Sequence, residues 1–336
     1  MRAANPALTS GLTALARAWP AALAGLVSVL AGIAVPLLSP LIIALVLGAV
    51  LANTAAIRTA LIAQSTKGAK TLLRLGVVLL GTRLSVDAIM LLGLPGLAVI
   101  LITVVIVFMT TGVIGDRLGL DRGLVTLIAS GFSICGAAAI AAVESGIRRR
   151  DEDVGIALAM VTLFGSAMIL VVPAAGAGLG LPPELIGVWA GASIHEVAQV
   201  VAAASLVGTT AVTTATAVKL GRVALLAFAV GAARWRDRRG PGAAGTGSGG
   251  TTPLVPWFLV GFVIAAVVAG LGVIPEGAIP LVNHAGTLLL AAGMFGLGLG
   301  IQFRNLFPMP WHVVLLSAVS TAIAALVPLA LVSLLW

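Results

Sequence analysis

Apolar runs of roughly 20 residues recur from one end of the chain to the other, separated only by short polar joints. About eleven can be drawn, near 20–38, 40–57, 68–92, 94–114, 121–146, 152–175, 184–206, 212–232, 254–272, 277–303 and 311–335. A helix needs about 20 apolar residues to cross a bilayer, because in lipid each backbone polar group must be satisfied within its own segment. The expected fold is an all-α polytopic membrane protein, a single integral membrane domain over 1–336. Charged residues make up 9% of the chain, against about 25% in a soluble domain. The 41 glycines suit helices packed closely where lipid supplies no hydrophobic push.

The net charge of +8 does not point to nucleic acid, because the basic residues sit in the joints between spans. Eleven crossings gather Arg2, Arg17, Arg58, Lys67, Lys70, Arg117, Arg122, the cluster 234–239 and Arg304 on the amino-terminal side. That side is expected to be the cytoplasm of a cell with this protein in its inner membrane. One joint dissents, since Arg148, Arg149 and Arg150 fall outside. A re-entrant hairpin at 121–146 would bring them in and stands as the alternative to a crossing. The stretch 234–253 reads as a basic, Gly-rich cytoplasmic loop that divides helices and not domains. No cleavable signal is expected in Met1 to Trp19. Cys135, the lone cysteine, excludes an internal disulfide.

The chain also repeats itself weakly. Pro40 to Asn53 lies over Pro183 to Glu196, Thr71 to Leu80 over Thr216 to Leu225, and Gly131 to Gly136 over Gly293 to Gly298. Asn53 thereby meets Glu196, and Arg74 meets Lys219. The expected plan is two inverted five-helix repeats, 40–175 and 183–335, behind one extra N-terminal helix at 20–38. Inverted repeats are typical of secondary transporters, with the substrate site at their interface. The competing explanation is chance likeness between strings rich in Ala, Gly and Leu.

The polar exceptions to this apolar background carry any chemistry. Gly187 to Ala203 is expected to be a membrane helix, with His195, Glu196 and Gln199 on one face. A carboxylate at that depth costs about 2.5–3.5 kcal/mol even on a mild scale, so it should face a protein interior or a watery cavity. Glu196 either titrates during transport or neutralises a cation. His195 is either a proton relay or a buried ring satisfied by a backbone carbonyl. Lys219 and Arg222 share a face of one helix. They line an anion site, or Lys219 pairs with Glu196, or both snorkel to the interface. Arg74, nearer a basic joint, reads as snorkelling. His284 and His312 lie near segment ends.

Gly131 to Gly136 sits mid-segment, where glycines and Ser133 allow the backbone to unwind and expose a half-helix N-terminus suited to an anion. The plain alternative is a packing patch, with Cys135 as a small packing residue. Gly293, Gly296, Gly298 and Gly300 mark the matched second break. No enzyme is expected. His195 to Gln199 lacks the last ligand of the zinc-protease pattern, and no ATPase motif occurs. Transport would be gradient-driven, with no cofactor and no metal.

Ser133 to Gly136, His195 to Ala203, Lys219 with Arg222, and Pro256 to Phe258 together resemble the YeiH-type bacterial inner-membrane proteins, commonly labelled sulfate exporters. The likeness runs from about Ala31 to the C-terminus. That family is similar to the cation/proton antiporter and anion transporter superfamily. The resemblance implies a crossing pair of broken helices, a core domain, and a scaffold or dimerisation domain compatible with a homodimer.

The leading expectation is a secondary transporter exporting a small anion (sulfate, an organic sulfonate or a carboxylate), with a coupling proton or sodium. Asn53, Ser133, Cys135, Gly136, His195, Glu196, Gln199, Lys219, Arg222, Gly296 and Gly298 would form its site. The alternative is a cation-coupled or cation/proton exchanger using Asn53, Glu196 and Lys219. A third reading is a non-transporting membrane scaffold subunit.

Overall fold

A computed structural model describes residues 19–34, 40–54, 59–83, 92–144, 146–238, 257–299 and 310–336. The expectations placed on Arg2, Arg17, Arg58, Gly300, Arg304 and the loop from Gly240 to Gly250 lie outside those residues. All regular structure among the described residues is helical. The helices are α1 (Trp19–Ala34), α2 (Pro40–Asn53), α3 (Thr59–Leu80), α4 (Gly93–Arg117), α5 (Arg122–Ser133), α6 (Ala137–Glu144) and α7 (Asp151–Gly178). They continue with α8 (Pro183–Ser193), α9 (Val197–Ser205), α10 (Thr209–Ala224), α11 (Leu226–Arg238), α12 (Trp257–Gly270), α13 (Ile279–Gly298) and α14 (Trp311–Leu335). Among the described residues four helices, including α4, α7 and α14, are long and apolar enough to cross a membrane alone, and α10 with α11, bent by 42°, makes a fifth if the pair is one span. Leucine, valine and isoleucine side chains stay exposed along their outer faces, as at Leu101, Val113, Leu163 and Leu326. Such an apolar exterior is the surface a bilayer covers.

Two expected spans double back on themselves. Segment 121–146 divides into α5 and α6, and its two ends lie side by side. Gly123 packs against the backbone of Arg148 and Arg149. Arg148 pairs with Asp237 at 3.3 Å, and Arg236, on the same stretch of α11, pairs with Asp116 at 2.5 Å. The joint before α5 and the joint after α6 therefore occupy one end of the molecule. The re-entrant alternative describes this segment and the crossing does not. The arginine joint is held there by further pairs, Arg149 to Glu144 at 3.0 Å and Arg150 to Asp153 at 2.9 Å. Hydrogen bonding to Asp153 also pushes the Arg150 pKa above its ordinary value.

Segment 184–206, expected as one helix, doubles back in the same manner from the other end. Gly187 packs on Ala211, and Gly191 on Ala215 and Val218, so α8 and α10 run side by side in the same direction. Only Leu206, Val207 and Gly208 join α9 to α10. Helix α9 must then return to the end from which α8 started. The two hairpins thus enter from opposite ends.

The helices fall into two groups. Helices α1, α2, α3, α12 and α13 pack on one another, and α4 to α11 with α14 form the body that holds both hairpins. Small residues set the first group's spacing. Gly25 faces Ala292, Gly76 faces Leu290 and Gly293 faces Leu73, positions where an added Cβ would collide. Close backbone approach of this kind stands in for a hydrophobic drive in lipid. The N-terminal helix expected at 20–38 is α1, in this group. Arg74 lies with its guanidinium carbon 5.8 Å from the centre of the Phe258 ring, a cation–π contact across two helices.

Candidate functional site

The hairpin tips meet. At the first, Ile134 N–H bonds to the Ser130 carbonyl at 3.2 Å and Gly136 N–H reaches back to Gly131 at 2.9 Å. Gly136 has φ +70°, a left-handed conformation open to glycine at little cost. A Cβ on it would sit 2.6 Å from Cγ of Glu196. At the second tip, Ile194 and Glu196 are extended, and Gln199 Oε1 accepts from the Glu196 N–H at 3.2 Å. Gln199 is itself fixed by donating to the Thr162 carbonyl and Ser166 Oγ, both at 3.3 Å.

Unwound backbone at membrane depth survives only where its polar groups find partners. Lys219 and Arg222, both fully buried, supply them. Lys219 Nζ donates to the carbonyls of Ile134 at 2.9 Å and Ile194 at 2.6 Å. Arg222 donates to Phe132 at 2.9 Å, Ser133 at 2.7 Å, Ala192 at 2.6 Å and Gly191 at 3.2 Å. Each cation thereby bridges the carbonyl ends of α5 and α8. Those ends carry the negative poles of the two half-helices, where cations are favoured.

The positive pole of α6 is met by Glu196. Its Oε1 accepts from the Ala137 N–H at 3.2 Å, and its buried Oε2 has no hydrogen-bond partner among the described residues. Glu196 and Cys135 face a cavity of about 560 Å³ between the two helix groups. Ala137, Val197, Val201 and Ile169 belong to its body side, and Leu73, Leu290 and Met294 to the other.

The structure gathers most of the expected site but redistributes the roles. Glu196, Cys135, Gly136, Gln199, Lys219 and Arg222 come together at the tips. His195 joins them, its Nε2 3.2 Å from Thr321 Oγ1 and its ring 4.3 Å from that of Phe132. The Thr321 hydroxyl is one partner, and the backbone of Phe132 is a second hydrogen-bonding group beside the ring. Ser133 offers its carbonyl to Arg222, while its hydroxyl bonds back to Ser130 at 3.3 Å. Lys219 makes no ion pair with Glu196, because the half-helix carbonyls hold its ammonium. Nor do Lys219 and Arg222 line the cavity, since their donors point into the backbone.

Three residues leave the site. Asn53 is exposed and donates to the Ala49 carbonyl of its own helix at 2.7 Å. Helix α13 runs unbroken through Gly293 and Gly296, and ends at Gly298. Gly298 packs against Leu45 and Ala49 of α2, so its small size serves helix contact and not a second break. The second break lies at Ile194 to Glu196 instead. Aligning Gly131–Gly136 with Gly293–Gly298 therefore does not pair the two breaks.

One charged cavity residue had no part in the sequence reading. Arg83, in the 3₁₀ turn Gly81–Arg83, faces the cavity opposite the tips. Its Nε donates to Asn283 Oδ1 at 3.0 Å, and its Nη2 to Thr287 Oγ1 at 2.7 Å and to the Asn283 carbonyl. An arginine inside an apolar run drawn over 68–92 was the available signal.

The family described as conserved hypothetical protein 698 matches residues 13–317. A UPF0324 membrane protein of Corynebacterium glutamicum is 40% identical over 292 residues, covering 87% of this chain and 84% of the relative. One from Pseudomonas aeruginosa is 39% identical over 277 residues, 78% of this chain and 77% of its own length. One from Bacillus cereus is 35% identical over 248 residues, with 73% and 72% covered. No solved structure matches the chain.

Proposed function

This chain belongs to the conserved hypothetical protein 698 family, and we propose that it is a secondary transporter that carries a small anion across the inner membrane by alternating access. The observation that carries this reading is the meeting of two opposed hairpin tips beside a cavity between two helix groups. Lys219 and Arg222 bring two positive charges to the tips and an ionised Glu196 one negative charge, leaving a net +1. The poles of the half-helices, roughly half a charge each, offset one another. An anion entering the cavity meets a positive field although neither cation touches it. The body that holds the hairpins would move against the α1–α3, α12 and α13 group, exposing the tips to each side in turn.

In this reading the inverted relation lies between the two hairpins, and two of the eleven expected spans are re-entrant. The end that holds Arg117, Arg122, Arg148 to Arg150 and Arg234 to Arg238 is the cytoplasmic one, and the dissent of the arginine joint disappears. The amino terminus then lies in the cytoplasm.

The free Oε2 of Glu196 favours a second element, a proton carried on that carboxylate. It also keeps the cation/proton exchanger in view, now without Asn53 or an Lys219 pair. Proteoliposomes decide between these readings. Uptake of a labelled organic anion that needs an imposed gradient supports the proposal. Proton flux that depends on a monovalent cation, with no anion movement, replaces it with the exchanger. No flux of any kind leaves the scaffold reading.

A further inference from the structure

We infer that the cavity is built for an organic anion with a hydrocarbon body, a short-chain sulfonate or carboxylate whose charged group is read by Arg83, and not for a bare inorganic oxyanion. This inference rests on the transporter reading and narrows its substrate.

Donors come first. Near the cavity stand three cations, Arg83, Lys219 and Arg222. The donors of Lys219 and Arg222 are directed at the carbonyls of Phe132, Ser133, Ile134, Ala192 and Ile194. Arg83 alone of the three lines the cavity. Asn283 and Thr287 fix its Nε and Nη2, and its Nη1 has no partner among the described residues. A guanidinium held in a fixed plane with one nitrogen open suits the planar or trigonal oxygens of a carboxylate or sulfonate.

Most of the rest of the wall is apolar. Beside Arg83, Glu196, Cys135 and the hydroxyls of Ser205 and Thr287, the cavity presents Leu73, Leu80, Ile169, Leu170, Leu290 and Met294. A hydrated dianion would lose water there and recover one guanidinium and few hydrogen bonds, a poor exchange for buried charge. A volume of about 560 Å³ falls in the range of sites for small organic ligands and leaves most of the space empty around a five-atom oxyanion. A hydrocarbon body fills it and gains from burial.

The experiment measures binding to purified protein, separately from flux. Methane-, propane- and hexanesulfonate, sulfate, and hexylammonium are titrated by calorimetry in a short-chain-free detergent. Affinity is expected to rise about fourfold per methylene until the cavity fills, the factor equivalent to ~0.8 kcal/mol per buried CH₂. Sulfate and hexylammonium should bind at least tenfold more weakly than hexanesulfonate. Arg83→Gln should weaken every sulfonate by a similar factor without changing the chain-length slope, and Arg83→Lys should restore part of it.

Sulfate binding as tight as hexanesulfonate overturns the inference, as does hexylammonium binding equally well. The chain-length series uses the native protein, so a misfolded Arg83 variant does not void the test. Graded sulfonate binding without transport in liposomes keeps this inference and removes the transporter reading. Sulfate transport without a chain-length slope does the reverse.

Discussion

The backbone N–H of Ala137, the first residue of α6, donates to Oε1 of Glu196 at 3.2 Å. The carboxylate thus caps a half-helix of the opposite hairpin, on a residue that lines the cavity, while its second oxygen is buried without a hydrogen-bond partner among the described residues. One group thus fastens the two tips and brings a carboxylate to the cavity wall. Glu196→Gln keeps an acceptor for Ala137 and removes the charge. It is expected to change thermal stability little and to make anion flux insensitive to an imposed pH gradient. Glu196→Ala should also lose the cap, at about 0.5–2 kcal/mol. Flux against pH in liposomes, with melting curves for both variants, checks this.

Arg222 is expected to be the more sensitive of the two buried cations. Arg222→Met would leave the four carbonyls of Phe132, Ser133, Gly191 and Ala192 without this donor, at about 1–3 kcal/mol for each group left unpaired. Lys219→Met exposes only Ile134 and Ile194 to the same penalty. Arg222→Lys should not rescue, because an ammonium cannot span the carbonyls a planar fork reaches. Thermal unfolding in detergent should order the variants as Arg222→Met and Arg222→Lys below Lys219→Met, all below the native protein. Equal stability of Arg222→Met and the native chain would show that those carbonyls have other partners.

The thiol of Cys135 offers a native reporter, since the chain has one cysteine and it faces the cavity. A membrane-impermeant thiol reagent should modify it slowly, 4% exposed as it is, and faster when the cavity opens. Saturating organic anion should slow the modification several-fold. Mass spectrometry of intact protein reads the adduct. Indifference to every anion that is transported would place the route elsewhere.

The two hairpins make a topological prediction. Cysteines placed at Leu179 and Val207, in a Cys135→Ser background, should be labelled from the same side. Cysteines at Leu118 and Ile147 should be labelled together from the opposite side. If Leu118 and Ile147 reacted from different sides, segment 122–144 would be a crossing and the hairpin pair would not exist.

Gly136→Ala tests the tip geometry. The new Cβ meets Glu196 Cγ at 2.6 Å, and φ +70° disfavours any side chain by roughly 1–2 kcal/mol. Loss of both stability and anion binding is expected. Gly231→Ala, where an added Cβ meets nothing within 4 Å, should be silent in both assays.

The sequence by itself determined the solvent of this protein and the identity of its buried polar set. Long runs with few charges can only be helices in lipid, and a Glu, a Lys and an Arg among them must be gathered against each other, whatever the path between. Glu196, Gln199, Lys219, Arg222 and the Gly131–Gly136 weakness were legible for that reason. The tertiary structure decided direction. A run of about 20 apolar residues has the same hydropathy whether it crosses or folds back at its middle. Only contacts between distant joints, such as Arg148 with Asp237 and Gly187 with Ala211, separate the two. It also decided which donors remain for a solute. Lys219 and Arg222 look available on a helical wheel, but the carbonyls that claim them exist only once both hairpins have unwound at one depth. Arg83, in the 3₁₀ turn that follows α3, is left facing the cavity.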